Sequence, residues 1–346
     1  MLAAGSALLA WIFQRAAFPA ALLVGPMIAA IAFGSGGSGL RVPRWGFLGA
    51  QAIIGTLVAR AFTAPILVSI AHAWAPMLLV VATTVIAGGV VGVLLTKYGR
   101  LPGATAAWGS SPGGASVMVA MSEDFGADPR LVGFMQYLRV IVVVLTASFV
   151  SRLLLGEHPA ANVLASPGAS LNAAANAAAN AAAVILTMAL GAATALAGRR
   201  LRIPAGAVLG PMIALGALHA AGYIEIVLPA WLIALAYVGL GWYVGLGFTR
   251  DTLAYVVRAV PQLLFSTFAV IAMCGLSAWM LTSLLHTDAL TAYLATSPGG
   301  LDSMALIAIG GGANLPFVLA VQTLRFVIVI ISGPPLARLI SRYALL

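Results

Sequence analysis

Apolar stretches of about 20 residues recur along this chain from end to end, the length a helix needs to cross a hydrocarbon core ~30 Å thick. Only 7% of the 346 residues are charged, while 62% are hydrophobic. A soluble domain of this length could not cover its surface with so few charges. The chain therefore reads as an all-α polytopic membrane protein, with the lipid bilayer as its first partner. The net charge of +9 does not point to nucleic acid, because the 16 Arg and the single Lys97 are scattered through short loops with no basic stripe or tail. Charge of this kind sets topology. One cysteine, Cys274, excludes an internal disulfide framework. No basic residue precedes Arg15, so the n-region of a cleaved signal peptide is missing.

The chain is also a duplication. "FPAALLVGPMIA" (18–29) matches "IPAGAVLGPMIA" (203–214) at an offset of 185. "PRWGFLGAQAIIGTLVARAFT" (43–63) matches "PAWLIALAYVGLGWYVGLGFT" (229–249) at 186. The tetrapeptide SPGG occurs at 111–114 and 297–300, and Met118/Met304, Gln136/Gln322, Arg139/Arg325 and Arg152/Arg338 keep the same offset. This divides the chain into membrane repeat 1 (1–155), a low-complexity linker (156–180) and membrane repeat 2 (181–346). Asn172, Asn176 and Asn180 recur every four residues and read as one polar face of a linker running into a helix.

Each repeat carries five long apolar segments plus the SPGG element. The segments fall near 3–17, 18–34, 46–66, 74–96 and 131–155, then near 181–198, 203–221, 227–248, 260–285 and 313–336. In the first half the stronger basic loops follow segments two and four, with Arg41, Arg44, Lys97 and Arg100. In the second half they follow segments one and three, with Arg199, Arg200, Arg202, Arg250 and Arg258. If positive loops share one side of the membrane, the repeats point opposite ways. The expectation is two inverted five-span repeats, about ten transmembrane helices, each repeat with a broken or re-entrant SPGG element.

About nine residues follow each SPGG before the next interruption, roughly 14 Å of helix, or half a membrane. Pro removes a donor and Gly opens the backbone. Carbonyls before the break and N–H groups after it then lose their helical partners, which lipid does not tolerate. A half-helix N-terminus carries about half a positive charge and free donors, a ready anion site. Matched broken helices in two inverted repeats are the sequence mark of a transporter site. "QYLRVIVVV" (136–144) and "QTLRFVIVI" (322–330) add a Gln and an Arg to one helical face inside a span. An Arg there is costly unless paired or facing water, and its fork suits carboxylate or phosphate.

The expected substrate-binding set is thus Ser111, Pro112, Gly113, Gly114, Gln136 and Arg139 with Ser297, Pro298, Gly299, Gly300, Gln322 and Arg325. Asp302 follows the second SPGG and is the coupling-ion candidate, whereas Glu123, Asp124 and Asp128 read as interfacial. Gly25-Pro26-Met27 and Gly210-Pro211-Met212 lie inside spans and read as packing hinges. His72, His158, His219 and His286 show no metal-ligand spacing, and no catalytic triad, Walker loop or dinucleotide fingerprint stands in a suitable context. No enzyme, metal or cofactor is expected.

The duplicated GPM, the SPGG with its following Met and the QxxR resemble the AbrB family of bacterial inner-membrane proteins across the whole chain except the 156–183 connector. That resemblance implies a duplicated membrane domain in the inner membrane. Members carry labels as ammonia monooxygenases and as regulators of gene expression. The first would need metal ligands that this chain lacks, and the second could act only indirectly, since there is no DNA-binding module. The function expected is secondary active transport of a small organic anion by alternating access, coupled to a proton or sodium ion. The alternative is a membrane sensor or regulatory protein that binds a ligand without moving it. A homodimer is the candidate assembly.

Overall fold

A computed structural model describes residues 1–16, 20–99, 101–155, 177–203, 205–285 and 287–343. The described residues are helical throughout, with no strand. The first half contains α1 (Leu2–Arg15), α2 (Ala21–Ser35), α3 (Arg44–Ala59), α4 (Ala64–His72), α5 (Trp74–Lys97), α6 (Gly103–Ser110), α7 (Ala115–Ser122) and α8 (Pro129–Leu155). The second contains α9 (Ala177–Arg200), α10 (Gly206–Ala220), α11 (Ala230–Leu246), α12 (Arg250–Leu285), α13 (Ala289–Thr296), α14 (Leu301–Gly310) and α15 (Leu315–Tyr343). Most of the linker, with His158, Asn172 and Asn176, lies outside the described residues, as does His286.

The helix boundaries repeat at the offset found in the sequence, and so do the devices that set them. Pro43 and Pro229, both in extended backbone, precede α3 and α11. Their fixed φ suits that entry. Gly37 and Gly222, both at positive φ, stop α2 and α10. One pair differs. α12 is continuous through Pro261, while its counterpart is split into α4 and α5 at Ala73. The expected segments near 46–66 and 260–285 therefore had wrong edges, since apolar composition does not mark where α3 ends or α12 begins.

Among the described residues, five helices are long and apolar enough to cross a membrane: α5, α12 and the major parts of α8, α9 and α15. The number rises to six if α3 and α4 form one span. α2, α10 and α11 are apolar but shorter, and α1 has only 14 residues.

The chain packs as two compact units that cut across the repeats. The first gathers α1–α3 with α9–α11; the second gathers α4–α8 with α13–α15 and nearly all of α12. In the first unit α2 lies against α11 and α3 against α10, so each repeat packs on the other. Glycine permits this approach. A Cβ on Gly241 would come 2.9 Å from Leu23 O and one on Gly55 would strike Val208 O, both across the repeats, while one on Gly25 would come 2.6 Å from Ala10 N of α1 within the first repeat. Small residues at helix crossings bring backbones together where lipid offers no hydrophobic drive. Gly25 of the first GPM is thus a close-contact residue beside Pro26, which lies inside α2. Gly210 meets Thr194 in the same way, beside Pro211 of α10. The second unit has an apolar core of Met77, Val81, Val143, Leu281, Leu294, Met304 and Val321 among others.

Gly55→Ala forces a methyl group onto the Val208 carbonyl, and overpacking of this kind costs about 1–3 kcal/mol. It should lower the melting temperature of the purified protein by several degrees. Gly49→Ala, whose Cβ would meet nothing within 4 Å, should not.

Candidate functional site

Both SPGG segments lie in the second unit and both interrupt helices. α6 ends at Ser110, Ser111 and Gly114 take extended backbone, and α7 starts at Ala115. α13 ends at Thr296, Ser297 is again extended (ψ 133°), and α14 starts at Leu301. The C-terminal carbonyls of α6 and α13 have no helical donor.

Gln and Arg from the adjoining long helix supply the donors. On α8, Gln136 Nε2 donates to Trp108 O (2.7 Å) and Ser111 O (3.0 Å). Arg139 Nη1 donates to Ser111 O (2.7 Å), and its Nη2 to Gly113 O (3.2 Å) and Gln136 Oε1 (2.6 Å). α15 repeats this. Gln322 Nε2 reaches Leu294 O (2.8 Å) and Ser297 O (3.1 Å). Arg325 Nη1 reaches Ser297 O (2.5 Å), and Nη2 reaches Gly299 O (3.1 Å) and Gln322 Oε1. All four side chains are at most 4% exposed. A cation at a helix C-terminus also opposes the negative end of the dipole.

The expected residues thus assemble, with a role for Arg that the sequence reading did not assign. Its Nη groups hold the break together from the carbonyl side. The signal was available, because a broken helix orphans carbonyls as well as N–H groups. The Nε of each arginine is buried without a partner, and so is Ser297 Oγ. Ser111 Oγ, by contrast, donates back to Ala107 O (2.7 Å). Cys274, 1% exposed, is a buried free thiol of the same unit. No carboxylate among the described side chains pairs with either arginine; the salt bridge among them joins Asp128 to Arg130 (2.8 Å). The side chain of Asp302, in the first turn of α14, lies outside the described residues.

On the N–H side of the first break, Gly113 N–H turns back to Ser111 O (2.9 Å). Gly114 caps α7 with no side-chain bond, so the first N–H groups of that helix have no intrahelical acceptor. At the third SPGG position a Cβ would have to displace the end of a methionine: one on Gly113 would come 2.8 Å from Met118 Cε, and one on Gly299 2.6 Å from Met304 Cε. The fourth position differs. Gly114 lies under the Phe326 ring, 2.6 Å from a would-be Cβ, whereas Gly300 has only Ser303 Oγ at 3.8 Å.

The far ends of the elements are tied alike. Thr105 Oγ1 accepts from Asp128 N (3.1 Å) and Thr291 Oγ1 from Asn314 N (2.8 Å). Asp128 Oδ1 accepts from Arg130 N (2.9 Å) at the start of α8, as Asn314 Oδ1 accepts from Phe317 N (3.2 Å) at the start of α15. Burial pushes the Asp128 carboxyl upward, but hydrogen bonds from the Arg130 side chain and backbone, that guanidinium's charge and the Leu131 N–H outweigh it, leaving it below the usual carboxylate range.

Gln136→Leu and Gln322→Leu should each destabilise the protein by about 1–3 kcal/mol, because buried carbonyls lose their donors; a falling melting temperature reads this. A depressed carboxyl stabilises above its ordinary value and loses that contribution as pH falls below it. The melting-temperature gap between wild type and Asp128→Asn should therefore be widest near neutrality and close toward about pH 3.

A family model described as "Transition state regulatory protein AbrB" matches residues 22–341. A protein of Escherichia coli (strain K12) named "Putative regulator AbrB" is 45% identical over 347 residues, covering 99% of this chain and 97% of its own length. "Uncharacterized protein YhjN" of Bacillus subtilis (strain 168) is 28% identical over 304 residues, covering 86% of this chain and 79% of its own.

Proposed function

The chain belongs to the AbrB family, and from that premise we propose that it is a secondary active transporter of a small organic anion, working by alternating access in the inner membrane. The observation that carries this reading is the pair Arg139 and Arg325: two buried guanidiniums, each with an unpartnered Nε and no carboxylate partner among the described side chains. Two such charges in an apolar interior call for a mobile counter-charge. The N-terminus of α7, which Gly114 caps with no side-chain bond, adds donors of the right sign, and Gln136 and Gln322 fix the arginines that meet the ligand. The matched breaks supply two half-sites that alternating states would use in turn. In this reading the chain makes ten crossings in two inverted repeats, with the reversed loop charge setting their orientation. Asp302 carries the coupling proton or cation, and no covalent chemistry is performed on the substrate.

A second reading, a membrane regulator that binds the anion without moving it, is favoured by the name of the E. coli relative. The two part in one experiment. Purified protein is melted against acetate, malonate, succinate, phosphate and matched cations, and any stabilising anion is then offered to proteoliposomes. At 100 times its dissociation constant a ligand adds about 2.7 kcal/mol to stability, a shift of several degrees. Arg325→Lys, which keeps the charge but loses the fork, should weaken that shift. Uptake that responds to an imposed proton or sodium gradient in wild type but not in Asp302→Asn supports transport. Binding without uptake supports the regulator, and no binding by any anion sinks both.

A further inference from the structure

The two arginines sit in matched positions but not in matched surroundings. Beside Arg139 lies a narrow recess, just large enough for a water-sized group. Val91, Gly109, Ser110 and Met135 line it with Arg139, and α12 closes it with Leu263, Ser266, Thr267 and Val270. Those four α12 residues form one helical stripe at i, i+3, i+4 and i+7. The repeat offset of 186 places Val80 and Val81 on the other side where Ser266 and Thr267 stand here. Both valines belong to the packed apolar core, at 4% and 1% exposure. The exchange is reciprocal: Val91 and Val270 of this recess map onto the buried Ser277 and Thr84, so the two halves place their hydroxyls on different turns.

The chemistry of the recess narrows its occupant. Both Nη groups of Arg139 are held by the break, so Nε–H is the donor left. Ser110 Oγ donates to Ala107 O (3.3 Å), and Ser266 Oγ and Thr267 Oγ1 both donate to Leu263 O (2.8 Å each). These hydroxyls can rotate toward a guest, but only by giving up a carbonyl. One cationic N–H and a few exchangeable hydroxyls suit a singly charged, planar acceptor better than a phosphate dianion, which asks for more donors and more charge. We infer that this recess is a carboxylate-binding subsite, entered from water, with Ser266 and Thr267 as its specificity residues. The inference rests on the anion reading above and names the hydroxyls that meet the ligand beside Arg139.

Hydrated thiols report the access. In a Cys274→Ala background, Ser266→Cys and Phe268→Cys are treated with a membrane-impermeant, sulfonate-bearing methanethiosulfonate reagent. Phe268 is on the same helix and far more exposed, at 51%, but it points away from the stripe. Labelling at Ser266→Cys and not at Phe268→Cys, slowed by malonate and not by phosphate, is the expected result. Failure to label Ser266→Cys, or equal labelling at both, overturns the aqueous recess. Labelling that no carboxylate slows overturns the carboxylate subsite, and wild-type uptake in proteoliposomes then decides whether the transport reading survives without it. Thr267→Val removes the hydroxyl at constant shape and should weaken carboxylate binding about tenfold, whereas Val81→Thr should leave it unchanged.

Discussion

A helix broken in an apolar interior exposes carbonyls that no water can reach, and satisfying them organises the second unit of this protein. Each break is met by the same donors: a glutamine amide on two carbonyls, a guanidinium on two or more, and a bond from that guanidinium to the glutamine. This fixes much else. The Gln and Arg must be three apart on a helix running alongside the break, so α8 and α15 lie where they do. A threonine ties the far end of each element to the start of the same long helix. Beside the third SPGG residue, a methionine of the following half-helix fills the space.

The clip also explains how a buried arginine can be both structural and chemical. Its two Nη groups oppose the negative end of one half-helix, which lowers the cost of holding the charge in low dielectric. Its Nε and the remainder of its positive potential are not consumed by that task. A side chain so held is already ordered, so a ligand that meets it loses little extra rotamer entropy on binding. Duplication gave the molecule two copies of this arrangement, and later substitution made them unlike: Phe326 covers one half-helix start while Val140 occupies its counterpart position, and α12 carries Ser266 and Thr267 where α5 carries Val80 and Val81, while α5 carries Thr84 where α12 carries Val270.

Much of this was legible in the chain. The repeat, the breaks and the residues of the clip all appear as constant-offset matches, because each depends on a local rule of backbone chemistry. The direction in which Arg139 and Arg325 spend their hydrogen bonds was not, since a sequence shows that carbonyls are orphaned but not which donor reaches them first. Nor was the grouping of helices. Gly55 and Gly241 read only as small residues in apolar runs, and it takes the packing to reveal that each receives a carbonyl from the other repeat. The split at Ala73 was only faintly marked, because Pro76 falls in the first turn of α5, where proline suits a helix start, yet Pro261 sits inside an unbroken helix at nearly the matching place.

The exchange of partners between repeats has a consequence for how the chain must be made. α3 finds its glycine-lined groove on α10, which ends at Ala220, and α2 finds its own on α11, which ends at Leu246. At a synthesis rate of roughly 5–20 residues per second, the first three helices wait something like 10–30 s for those surfaces to emerge. During that interval their close-contact faces, built to receive a backbone, have only lipid or a foreign helix to meet. A nascent chain of this design is most vulnerable halfway through translation, which makes the membrane-insertion machinery, rather than the finished fold, the guardian of its first half.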